Sequence, residues 1–175
     1  MKTIGKIVTI LSLILLNCCK DEKLSLQRVP YLGNELRTDG YYYKYWASYD
    51  SPVPNNTTCL FLFRNGIVLC AGSFESTNLD TVDKELLERY KWLYEYKSSW
   101  GVFVVNGDRY EDEVWGSGFR LPVSKSIGII DNDTTIHIIK HISVKEKQEF
   151  PQNYRYHFRQ FSPKPDSTIA NKWIK

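Results

Sequence analysis

Three times along this chain two apolar runs flank a short polar turn, and that repeated pattern predicts the fold. CLFLFRNGIVLCAG, residues 59–72, places β-branched and aromatic residues on both sides of Asn65-Gly66, a pair that closes tight hairpins because both residues tolerate positive φ. SWGVFVVNGDRYEDEVW (99–115) repeats the arrangement around Asn106-Gly107, and SIGIIDNDTTIHIIKHI (126–142) repeats it around Asp131-Asn132-Asp133. A strand rich in aromatics, Tyr41 to Trp46, precedes the three hairpins, and another, YRYHFRQF (154–161), follows them. One segment has the helical period instead. Between the first two hairpins, LDTVDKELLERYKWLYEYKSS (79–99) brings Val82, Leu86, Tyr90 and Leu93 onto one face, with Asp80 as a capping residue and Asp83 in the first turn.

These elements predict a mainly β domain with one helix over about 80–97. The antiparallel meander of about eight strands forms a barrel or strongly curved sheet, since closure removes exposed edges. The alternative is a two-layer α+β domain with the helix covering one sheet face.

The N-terminus follows a different rule. Lys2 and Lys6 precede an unbroken apolar run from Ile7 to Leu16, the pattern of a secretory leader. A membrane-spanning helix needs roughly 20 apolar residues, and Lys20, Asp21, Glu22 and Lys23 end this run sooner. The run leads directly into Cys18-Cys19. Leu16 three before Cys19 and the small Cys18 just before it resemble a bacterial lipobox with Cys19 as the lipidated residue. Cys18 is the alternative, with Leu15 in the aliphatic place, and Asn17 departs from the usual pattern in either register. Lys20-Asp21-Glu22 resembles the lysine-plus-acids export signal that follows the lipid-bearing cysteine in surface lipoproteins of the Bacteroidota; the other reading is a solvated tether start.

The resemblance implies cleavage before Cys19, palmitate-class acylation, and an outer-membrane location on the cell surface, or alternatively on the periplasmic face. Several acyl chains hold a protein firmly where one is marginal. The chain divides into a signal peptide (1–18), a lipidated N-terminus and tether (19–37), a β-rich domain (38–162) and a C-terminal tail (163–175). Loss of 18 of 175 residues leaves 157, enough for one domain with a core. Loss of Lys2 and Lys6 takes the formal charge from +3 to +1, which argues against a nucleic-acid binder. The Gly-Tyr-Tyr-Tyr strand from Gly40, Trp100-Gly101 and the Phe161-Ser-Pro-Lys-Pro-Asp166 stretch are also similar to small Bacteroidota lipoproteins of the flavobacterial type, some of them lipocalin-like. That resemblance implies no activity.

Candidate chemistry is sparse. Cys59 and Cys70 are the thiols left after the leader cysteines, and an exported compartment permits a disulfide. A two-residue Asn65-Gly66 turn makes them diagonal, roughly 7–8 Å apart, beyond the ~3.8 Å that Cβ atoms of a disulfide want. A four-residue loop would place them opposite one another. His137 and His141 lie four apart on a strand, about 13 Å by the strand rise, too far to share one ion, and no His or Cys spacing calls for a metal. A polar pocket joining His157 to a carboxylate would point to a hydrolase. Asp131-Asn132-Asp133 reads as turn chemistry, and Glu111, Asp112 and Glu113 read as a solvated face. No nucleophile elbow or phosphate-binding loop is present, so nothing specific proposes catalysis or a cofactor. Tyr41, Tyr43 and Tyr45 share one face of a strand, opposite Tyr42 and Trp46. One of the two sets faces away from the core, which makes the odd-numbered tyrosines a candidate ligand surface. Asp80-Thr81-Val82, Asp133-Thr134-Thr135 and Asp166-Ser167-Thr168 resemble Bacteroidota O-glycosylation sequences, Ser167 being the most accessible in an exposed tail.

The functional expectation is a lipid-anchored domain binding a small-molecule, glycan or protein ligand. The alternatives are an accessory subunit of an envelope complex, or a hydrolase with a dispersed site.

Overall fold

A computed structural model describes residues 21–118 and 120–175. Eight antiparallel strands follow in chain order: β1 (Gly40–Trp46), β2 (Asn56–Leu62), β3 (Ile67–Phe74), β4 (Trp100–Asn106), β5 (Arg109–Trp115), β6 (Val123–Asn132), β7 (Thr135–Ser143) and β8 (Gln148–Gln160). Each pairs with the next, and β8 pairs with β1, so the meander closes into a barrel. The architecture is the expected one, mainly β, closed and lipocalin-like. The one α-helix among the described residues, α1 (Leu79–Glu95), connects β3 to β4.

Turn chemistry sets the registers. The first hairpin loop has three residues, Arg64-Asn65-Gly66, because the Phe63 N–H donates to Ile67 O (3.0 Å) and the Gly66 N–H to Phe63 O (2.9 Å). Neither the two-residue nor the four-residue expectation is met. Gly66 takes φ +81°, the left-handed position that such loops assign to glycine. A side chain there would also meet the Val29 carbonyl, 2.2 Å from an ideal Cβ. In the second hairpin Asn106 pairs with Arg109, which moves the turn to Gly107-Asp108, with Gly107 at φ +63°.

Two apolar layers result from closure. Inside the barrel, Tyr42, Leu60, Leu62, Val68, Phe103, Tyr110, Ile136 and Ile138 form one cluster. On the outer face of β1 to β4, Tyr41, Phe61, Leu69 and Trp100 pack beneath α1 through Val82 and Leu86, both fully buried. Asn78, not Asp80, caps the helix, its side-chain oxygen accepting from the Asp80 and Thr81 N–H groups. Asp80 and Asp83 instead reach Arg159 of β8 at 2.6 and 2.7 Å, and Asp83 also accepts from the Tyr41 hydroxyl at 2.8 Å.

The two flanking segments are part of the fold. Residues 21–37, expected as a tether, form a strap along the barrel. Tyr31 and Leu36 are buried in the interior cluster and close the end that holds the β2–β3 and β6–β7 turns. The Tyr31 N–H donates to Arg64 O at 2.9 Å and the Arg37 N–H to Asp133 O at 3.0 Å. Upstream, Glu113 of β5 grips the strap: its carboxylate accepts from the Ser25 hydroxyl, from the Ser25 N–H (2.5 Å) and from the Leu26 N–H (2.9 Å). The expected C-terminal tail also packs. Asp166 caps a 3-10 turn (Ser167–Lys172), Ala170 and Ile174 are buried against the outer cluster, and Lys164 donates to Leu62 O at 2.8 Å.

Candidate functional site

A closed meander has one inward side chain at every second position of each strand, and here the strap stoppers one end. At the other end the inward positions are polar. Lys44 ends β1, Thr58 begins β2, Cys70 lies near the end of β3, Asp112 and Val114 approach the end of β5, Ser124 and Ser126 begin β6, His141 ends β7, and Tyr154 and Tyr156 lie on β8. Together they line a cavity of about 300 Å³. A larger groove of about 670 Å³ lies outside the barrel, between residues 21–28 and 173–175. Its lining carries Asp21, Glu22, Arg28 and Lys97, but these groups hold the flanking segments in place: Asp21 pairs with Lys97 at 2.9 Å, Glu22 accepts from the Val123 N–H, and Arg28 donates to Asn65 O and to Asn171. The interior cavity is the candidate site.

Its polar groups form a chain. Asp112 is buried and accepts from the Tyr110 hydroxyl (2.8 Å), and Ser126, its partner across the β5–β6 pair, favours its charged form. Ser126 Oγ lies 3.3 Å from His141 Nδ1, and His141 Nε2 lies 2.6 Å from the Tyr154 hydroxyl. With the imidazole proton on Nδ1, Tyr154 donates to His141 and His141 to Ser126; with it on Nε2 both directions reverse. Burial, reinforced by the nearby Lys44 charge, holds the His141 pKa below its ordinary value, which keeps the ring neutral at pH 7. Burial pushes the Asp112 carboxyl up to about 6 in spite of Tyr110 and Ser126, with the Glu113 charge adding to the rise.

Lys44 stands over this chain. Its ammonium sits 3.5 Å from the centroid of the Tyr154 ring and 5.7 Å from that of Tyr156, a cation–π arrangement. Burial lowers its pKa. Leu60, Val114 and the tyrosine rings supply apolar wall beside it. Chemically the arrangement offers one cation, several hydroxyls and an apolar wall to a small molecule. Ser126 lies beside His141, its Oγ 3.3 Å from Nδ1, and which of the two donates is set by the imidazole tautomer.

Several expected residues lie elsewhere. Tyr41 is fully buried under α1, Tyr43 is half-buried, and only Tyr45 is exposed, at 42%. Tyr42 on the opposite face is buried too, since β1 has the barrel interior on one side and the helix on the other. The odd-numbered tyrosines therefore make no ligand surface. Asp112 and Glu113 are buried, one inside the barrel and one beneath the strap. Only Glu111 of the three keeps a solvated role, paired with Lys125 at 2.6 Å and Arg109 at 2.5 Å. His157 is exposed beside Tyr43, and His137 bonds Asn153 at 2.8 Å. The polar pocket holds His141 in place of His157. Among the described residues no group of three His, Cys, Asp or Glu side chains is placed to hold a metal ion.

Cys59 and Cys70 are free thiols. Cys59 pairs with Gly72 and the next residue, Leu60, with Cys70, so a bulge falls between them. Cys59 joins the outer cluster under α1 while Cys70 faces the cavity, and the sheet itself separates the two sulfurs. In an unreduced tryptic map of the full-length chain, cleavage after Arg64 should yield the two cysteines in separate, alkylated peptides. A linked pair would contradict this register.

Cys18, Cys19 and Lys20 lie outside the described residues. Asp21 pairs with Lys97, while Glu22 accepts from Trp115 Nε1 (2.7 Å) through its carbonyl and from the Val123 N–H (2.8 Å) through its carboxylate. Ser167 is half-buried, its hydroxyl accepting from Asn65 at 2.9 Å, so it does not lie in an exposed tail, whereas Thr81 is exposed.

What could have exposed the site in the sequence is the alternation of Tyr154 and Tyr156 on the last strand and of Ser124 and Ser126 beside Asp112, across the connection between the second and third predicted hairpins. Which face lined the barrel required the registers. Comparison with protein-family models, with curated proteins and with solved structures finds no match for this chain.

Proposed function

We propose that this protein is an outer-membrane lipoprotein, anchored through acylated Cys19 and displayed on the cell surface, whose barrel binds a small molecule in its interior cavity. The observation that carries the binding role is the convergence of Lys44, Asp112, Ser126, His141 and Tyr154, drawn from five strands, on one apolar-walled space stoppered at its far end. Small eight-stranded barrels have room for one small ligand, and about 300 Å³ is at the lower end of ligand pockets. The anchor rests on Lys2, Lys6, the apolar run to Leu16 and the Cys18-Cys19 pair.

Two measurements test this. Mass spectrometry of the N-terminus in wild type and Cys19→Ala, with protease shaving of intact cells, should find acyl chains on Cys19 of a surface-accessible protein. An unmodified N-terminus overturns the anchor. Native mass spectrometry of the full-length chain gently extracted from envelopes should find a small bound mass that is absent from the cavity-filling variant Ser124→Trp. A mass retained by that variant overturns the interior site.

A further inference from the structure

We infer that the ligand of this cavity carries a single carboxylate-like negative charge, received by the Lys44 ammonium, on an apolar body. This rests on the cavity-binding reading and assigns it a ligand class.

Among the described residues Lys44 is the only cationic side chain lining the cavity. It projects inward from β1, its neighbour across the β1–β2 pair being Thr58. An ammonium has three donors, and among the described residues no carboxylate, carbonyl or hydroxyl is in hydrogen-bonding contact with it; its protein partners are the faces of Tyr154 and Tyr156. The one carboxylate lining the cavity, Asp112, is committed to Tyr110 and Ser126. The structure therefore carries a half-buried cation whose opposite charge is not supplied by the barrel. Burial of such a charge is costly unless it is paired, and an incoming anion would pair it.

The rest of the lining fixes the kind of anion. The hydroxyls of Thr58 and Ser124 share the cavity with the ammonium and can donate to a second oxygen. His141 is neutral, so it adds no second positive charge. One cation beside a buried Asp112 suits a monoanion, and a phosphate dianion would face that carboxylate with too little positive charge. The walls of Leu60, Val114 and Tyr156 accept an apolar body. The volume, about that of ten liquid waters at ~30 Å³ each, limits the ligand to a small acid.

Calorimetric titration of the full-length chain with 3-phenylpropionate, 3-phenylpropionamide and 3-phenylpropylammonium tests this charge preference. The acid should bind at least about tenfold more tightly than the amide, as one charge-assisted hydrogen bond provides. Lys44→Met should abolish that preference, so that acid and amide bind with equal affinity. Lysine side-chain NMR of the wild type gives a readout that needs no variant: the acid should raise the Lys44 pKa and the amide should not. Equal binding of acid and amide, preference for the ammonium, or an unmoved Lys44 pKa overturns the charge assignment and leaves the cavity reading standing. Saturable binding by none of the three overturns the cavity reading and the charge assignment with it.

Discussion

Glu113→Ala should detach the N-terminal strap from the barrel. The carboxylate is fully buried and receives two backbone N–H groups and one hydroxyl from Ser25 and Leu26. Hydrogen bonds to a charged group contribute about 1.5–3 kcal/mol each, and the substitution also leaves three donors without their acceptor. Part of this is offset because a buried charge no longer has to be desolvated. The net expectation is a loss of about 3 kcal/mol in denaturant unfolding, together with rapid tryptic cleavage at Lys23 and Arg28 in the folded protein. An unchanged cleavage pattern would show that Asp21, Glu22 and Arg28 hold the strap by themselves.

The strap also bears on how the domain meets its membrane. Under the anchor proposed here, Lys20 alone separates the lipidated residue from Asp21, which already pairs with Lys97 on the barrel side. The barrel would then be held close against the lipid surface, not at the end of a long tether, and Glu113→Ala would release it.

Asp112→Asn should change the pH dependence of stability more than any other single substitution in the cavity. The carboxyl rises from an ordinary 3.8 to about 6 in the folded chain. Between those two values the folded protein binds a proton that the unfolded chain has lost, so this residue's contribution is complete below pH 3.8 and disappears as pH rises through about 6. A shift of about two units corresponds to about 3 kcal/mol at 1.36 kcal/mol per unit. Asparagine keeps an acceptor for Tyr110 and Ser126 but does not ionise. Relative to wild type, the variant should therefore gain about 3 kcal/mol on going from pH 4 to pH 7.5, whatever constant difference its amide introduces. Unfolding curves measured across that range give the difference directly. Parallel curves would mean that Asp112 ionises in the fold as easily as in the unfolded chain.

Asp112 and Glu113 also show where reading the chain residue by residue stops. Three consecutive acids on a strand look like a solvated face, because nothing within the hairpin opposes them. Glu111 fits that description. Asp112 does not, because the barrel closes around it and brings Ser126 from the neighbouring strand. Glu113 does not either, because a segment 87 residues away in sequence lies across it. In the same way, the tyrosines of β1 alternate as a half-exposed strand would, but α1 covers the face that the barrel does not.

The local elements were legible in the chain: three hairpins from glycine-bearing or Asp/Asn turns between apolar runs, a helix from the spacing of Val82, Leu86, Tyr90 and Leu93, and from their number and brevity an antiparallel meander, either a barrel or a strongly curved sheet. Each depends on residues a few positions apart, whose φ preferences and periodicity act before any distant contact forms. Distant contacts decided which alternate positions became interior, that the meander closes, that the register set by the three-residue loop puts Cys59 and Cys70 on opposite faces, that both flanking segments pack, and that Lys44, Asp112, Ser126, His141 and Tyr154 meet. Those outcomes depend on strand registers and on closure of β8 against β1. A one-residue change of register exchanges the two faces of a strand, so the cavity and its charges come into being only when every pairing around the barrel is set.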